Sequence, residues 1–163
     1  MLASLASASV LGIEAHRITV EVDVSFGLPL CVMVGLPDTS VRESRDRVRS
    51  ALRHSGFDFP AHRVTVNLAP ADLRKVGTGF DLPIAIGILA AQGHVPLAAL
   101  EATLCLGELA LDGSLHGVRG VLPIAAAARD WGIRRLLLPR ANDGEAAALH
   151  TAEILGATDL AEA

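Results

Sequence analysis

The chain has 163 residues, 51% of them hydrophobic and only 3% aromatic, with a net charge of −4. A chain of this size buries roughly 70% of its unfolded surface and needs no staples, so the core must be built from Ala, Val, Leu and Ile. The acidic balance excludes a global positive field for nucleic acid or anionic membrane, and any basic surface has to be local.

The opening MLASLASASVLG has no basic n-region and does not read as a signal peptide. Residues 3–11 and 15–25 read as two strands. In the second, Ile18, Val20, Val22 and Val24 alternate with Thr19, Glu21, Asp23 and Ser25, as expected of a strand half buried in a sheet. Gly27-Leu28-Pro29 turns the chain into a third strand, 30–36, whose uniform apolarity suggests a central position. A helix follows over 39–54, with Asp38 or Thr39 as its cap and Gly56 as its stop. Its inner face is Val41, Ser44, Val48, Ala51, Leu52 and Ser55. Arg42, Asp46, Arg49 and Arg53 line the outer face, with Glu43, Arg45 and Arg47 beside them.

An alternating strand then starts at Arg63. It bends through Ala69-Pro70, crosses a charged, Gly-rich loop and enters an uncharged helix that runs to about Gln92. Pro83, Gly93 and Pro96 interrupt this apolar stretch, and its clean part is too short to span a bilayer. The chain reads as cytoplasmic, with no membrane partner. Further on, a strand is expected over 103–111, a tight turn at Asp112-Gly113 and a short strand over 115–118. A small-residue helix over 120–131, a strand over 135–138, a short helix over 143–149 capped by Asn142, and a last strand over 153–155 complete the pattern. Strands lead and helices enter later, which predicts an α+β fold: a mixed sheet with helices mainly on one face, in a single domain over 1–163.

Few motifs carry chemistry. Lys75-Val76-Gly77-Thr78-Gly79 has the composition of a phosphate loop but not the GxxxxGK[ST] order. The six histidines show neither HxxxH nor HExxH spacing, and no CxxC pairs the two cysteines, Cys31 and Cys105. No metal site is expected, and the cysteines read as buried reduced thiols. Asp81 is read as a helix-start residue, and Glu108 as a partner for backbone or an arginine. Phe26, Phe57, Phe59, Phe80 and Trp131 are spread out in the sequence and read as core anchors rather than a stacking platform. The basic candidates are Arg42, Arg49 and Arg53 on the first helix and Arg74 and Lys75 on the loop, either as a solvated face or as phosphate and partner contacts.

Three segments resemble one family: GLPLCVMVGLPDTSVRESRDRVRSALRHSGFDFP (27–60), RVTVNLAPADLRKVGTGFDLPIAIGILAA (63–91) and LGELALDGSLHGVRGVLPIAAAAR (106–129). Together they are similar to the N-terminal domain of ComM/YifB-type, magnesium-chelatase-like AAA+ ATPases. The resemblance implies a Lon-protease-domain-like fold. It also implies an AAA+ motor, absent from this chain, that uses ATP and Mg and acts as a homo-hexamer on DNA in branch migration during natural transformation. Peptidases of the Lon type use a Ser–Lys dyad. By resemblance, the Ser position falls at Gly79 and the Lys position at Leu122, and neither side chain can do the chemistry. The expected role is therefore a non-catalytic assembly and DNA-contacting module with no cofactor of its own. The alternatives are a degenerate Lon-type peptidase or an accessory domain of a metal-insertion ATPase.

Overall fold

The computed structural model describes residues 1–163. Its longest strands, β1 (Leu2–Leu11) and β2 (Glu14–Ser25), form an antiparallel hairpin matched over ten residue pairs. β3 (Leu30–Val34) leads through the short helix α1 (Thr39–Arg42) and the longer α2 (Ser44–His54) to β4 (Arg63–Ala69), which runs parallel to β3 and antiparallel to β2. α3 (Asp81–Ala91) crosses to β5 (Thr103–Cys105), and β6 (Glu108–Leu109) and β7 (Leu115–His116) form a small separate hairpin. α4 (Val121–Ala128), β8 (Arg135–Pro139), α5 (Asp143–Ala147) and β9 (Glu153–Ala157) complete two further parallel crossovers. The seven-stranded mixed sheet has the order β3-β4-β2-β1-β5-β8-β9.

The period-two pattern of β2 works as expected: Ile18, Val20 and Val22 are fully buried and join the core with Val64, Val66 and Leu68 of β4. α3 lies over them. All eleven of its residues are buried, because it is enclosed between the sheet and the inner face of α2 (Val48, Ala51 and Leu52). Beyond Asp81 at its first position the helix is uncharged, which suits that place, since it leaves no other polar side chain to satisfy.

The helices lie on both faces of the sheet, not mainly on one. Neighbouring strand residues point to opposite faces, and here they enter different cores. Leu5 and Cys105 pack with α2 and α3, whereas Ala6 and Leu104 pack with α4 and with Ala146 of α5. Each parallel crossover in the second half brings its own helix, and these helices cover the face that α3 leaves free.

Three other expectations need correction. β3 is an edge strand, not a central one. Its uniform apolarity arises because Cys31 and Met33 pack on the core while Leu30 and Val34 stay exposed on the other side. The strand expected over 103–111 is two strands. At Gly107 the chain leaves the sheet to bond the α3 loop, with its N–H donating to the Gly79 carbonyl at 2.9 Å and its carbonyl accepting from the Leu82 N–H at 3.0 Å. A Cβ on Gly107 would stand 2.9 Å from Leu115 Cδ2 and 3.2 Å from Leu82, so glycine permits this approach. Finally, Asn142 does not cap α5 with its side chain. It clamps Val118 instead, accepting from its N–H at 3.0 Å and donating to its carbonyl at 2.9 Å.

Candidate functional site

The loop from Pro70 to Phe80 is held from below by the segment that follows β3. Lys75 accepts from the Asp38 N–H at 3.0 Å and donates its own N–H to the Leu36 carbonyl at 3.1 Å. Asp38 caps α1 by accepting from the Val41 N–H at 2.9 Å, and it also accepts from the Ser40 hydroxyl at 2.7 Å. The Ser40 oxygen in turn receives the Gly77 N–H at 3.1 Å. VGLPD and LRKVGTG, far apart in the sequence, thus form one interlocked unit.

Asp81 ties this unit to the core. Its carboxylate is fully buried and accepts from the Ser44 hydroxyl at 2.5 Å, from Arg47 Nε at 2.7 Å and Nη2 at 3.0 Å, and from the Leu109 N–H at 3.0 Å. Arg47 also donates to the Ser40 carbonyl at 2.9 Å and lies 3.5 Å from Glu43. The hydrogen bond to Asp81 raises the Arg47 pKa against the opposing effect of burial. This pair was not foreseen, since Arg47 read as flanking the outer face. The available signal was its i,i+3 spacing from Ser44, which already read as an inner-face residue.

Above Asp81 the loop borders a cavity of about 260 Å³ whose walls include Val10, Thr78, Gly79, Glu108, Arg119 and Ile124. Gly79 brings no side chain to it. Leu122 does not line it and is 44% exposed. Thr78 donates to Glu108 at 2.6 Å, so the one hydroxyl and the one carboxylate on the wall engage each other. Glu108 therefore bonds a threonine rather than backbone or an arginine. No three His, Cys, Asp or Glu side chains converge to hold a metal ion, and no helix is long and apolar enough to cross a membrane.

The basic candidates divide. Arg42, Arg49, Arg53 and Arg74 are exposed. Arg42 donates to the Pro37 carbonyl at 3.3 Å, and the Arg49 guanidinium lies 4.5 Å from the centre of the Phe59 ring. Lys75, in contrast, is fully buried and donates its ammonium to the Pro70 carbonyl. A side chain turned inward cannot offer its charge to DNA or a neighbouring subunit, so Lys75 acts as a brace for the loop. Burial pushes its pKa below the ordinary lysine value, with Asp72 pulling the other way. Lys75 is the only lysine of the chain, which makes its burial directly testable. An amine-directed acyl reagent is expected to leave Lys75 unmodified in the folded protein and to modify it in urea, as read by peptide mapping. Labelling of the folded protein at the rate of a free lysine would contradict the buried placement.

Residues 20–142, which contain α2, the loop, Asp81 and most of the cavity walls, match the family model described as subunit ChlI of Mg-chelatase. The chain belongs to this ChlI family. Within it, protein YifB of Escherichia coli K12 is 50% identical over 135 residues, which are 83% of this chain and 26% of that protein. Competence protein ComM of Haemophilus influenzae is 48% identical over 145 residues, 89% of this chain and 28% of ComM. YifB of Salmonella typhimurium is 49% identical over 144 residues, 88% of this chain and 28% of that protein. The resemblance to the ComM/YifB type is thereby borne out. The ChlI-family chain spans under a third of the length of these relatives.

Proposed function

We propose that this chain is the non-catalytic assembly and DNA-contacting module of a ComM/YifB-type AAA+ ATPase. The motor, with its ATP and Mg, would lie outside these residues, and the complete protein would act as a cytoplasmic homo-hexamer in DNA branch migration. The fold would be of the Lon-protease-domain type without its chemistry. The observation that carries this reading is the row of exposed arginines on α1 and α2, Arg42, Arg49 and Arg53, on a chain whose net charge is −4. Local clustering of guanidinium groups against an acidic average is what phosphate contact requires. Arg74, exposed on the loop, adds a further cation. The absence of catalysis is supported by Gly79 and Leu122 at the dyad positions, and by the mutual engagement of Thr78 and Glu108. The Haemophilus relative is a competence protein by name, which fits a role connected with DNA.

The test is fluorescence anisotropy of a labelled DNA duplex at low salt, comparing the parent with Arg42→Glu/Arg49→Glu/Arg53→Glu. The triple variant is expected to bind at least about tenfold more weakly, with a log–log salt slope shallower by roughly 2–3. Unchanged affinity and slope would remove the arginine row as the contact.

A further inference from the structure

Three of the five aromatic residues scattered in the sequence, Phe26, Phe57 and Phe59, are brought to one region by the fold. The Phe26 and His62 rings meet edge to face at 5.4 Å, Phe57 and His94 lie 5.4 Å apart, and Arg49 covers Phe59 at 4.5 Å. All three contacts border one groove of about 730 Å³, lined by Arg49, Arg53, Phe59, His62, Gln92 and His94. The end of α2, the segment between α2 and β4, and the end of α3 each supply part of it, and the turn after β2 sets the Phe26 ring against His62 of its wall. Phe26 is 93% exposed. A core anchor would be buried, and nothing in the fold uses this ring except its contact with His62.

We infer that this groove binds single-stranded nucleic acid, with phosphates on Arg49 and Arg53 and a base stacked on Phe26. The inference rests on the DNA-contacting role proposed above and adds the strandedness of the ligand and the place of the stack. Three properties of the groove point to a single strand. It is a hollow of about 730 Å³ bordered by phenyl and imidazole rings, whereas a duplex keeps its bases stacked inside and offers only its backbone. Its cations are arginines, whose planar heads stack on bases as well as pair with phosphate. Asp58, also on the wall, opposes a polyanion, so charge alone makes a weak site and stacking has to contribute. An acidic peptide would use the arginines but has no ring to place on Phe26.

The test uses the 163-residue chain with a labelled oligothymidylate, a duplex of the same length, and polyglutamate as competitor. Phe26→Ala removes an exposed ring without opening the core. It is expected to weaken oligothymidylate binding about tenfold, the effect of one stacked base, and to leave duplex binding unchanged. Arg53→Glu is expected to weaken both. Equal oligothymidylate binding by the parent and Phe26→Ala would overturn the inference, and so would an equal loss for both DNA forms. Polyglutamate that displaces the oligonucleotide equally well with and without Phe26 would also overturn it, in favour of an acidic peptide. Duplex binding that persists in any of these cases leaves the DNA-contacting role standing. A parent that binds neither DNA form removes both.

Discussion

Asp81→Ala is expected to cost about 3–5 kcal/mol, the penalty for breaking a buried ion pair from one side. Against a typical total of roughly 5–15 kcal/mol, that is enough to leave the domain partly unfolded. The substitution would strand three donors at once: the Arg47 guanidinium, the Ser44 hydroxyl and the Leu109 N–H. These come from α2 and from β6, so the loss would spread beyond the α3 terminus. In urea, the unfolding midpoint should fall by more than about 1 M. Asp81→Asn keeps the volume and part of the hydrogen bonding and should lose less. Replacing both partners together, Asp81→Leu with Arg47→Met, should recover part of the loss, because an apolar pair of similar size leaves no orphaned charge. A cost below about 1 kcal/mol for Asp81→Ala would show that the network is dispensable.

Gly35→Ala is the second large effect. Gly35 follows β3 with φ at +101°, and a Cβ there would stand 2.1 Å from the Leu68 carbonyl oxygen. The obstacle is the backbone of Leu68, near the end of β4, which no rotamer change can move. Strain of roughly 1–2 kcal/mol for the positive φ adds to about 1–3 kcal/mol for overpacking. Thermal unfolding should therefore begin about 5–15 °C lower in a chain of this length. Gly56→Ala is the matched control. Its φ is +86° but nothing lies within 4 Å of the added methyl, so it should show the strain alone. Equal losses at Gly35 and Gly56 would mean that β4 yields and the clash is absent.

The legible parts of this fold are those where one strong local signal decides. Alternation placed β2 and β4, the lack of charge marked α3 as enclosed, and Asp112-Gly113 marked the turn between β6 and β7. What escaped depends on contacts distant in sequence. The division of Leu5 from Ala6 between two cores follows from which crossover covers which face, and strand patterning does not encode that. β3 looked central because apolar content does not distinguish an edge strand packed on one side from an interior one. Lys75 looked like a surface cation because lysines usually are, and only the fold shows the Pro70 carbonyl that receives it. The Arg47–Asp81 pair joins residues 34 positions apart, and the groove needs four segments to come together before its rings become neighbours.

The separation of the two cores also bears on how the molecule can come apart. β1 meets β2 over ten residue pairs but meets β5 at a single one, Ala6 with Leu104, reinforced by the Ser7 hydroxyl on the Cys105 carbonyl at 2.8 Å. Both hydrophobic clusters cross that line: Leu5 and Cys105 share one, and Ala6 and Leu104 share the other. Side-chain packing on the two faces, more than the hydrogen-bonded ladder, therefore joins the two halves of the sheet, and opening the molecule between β1 and β5 would breach both cores at once.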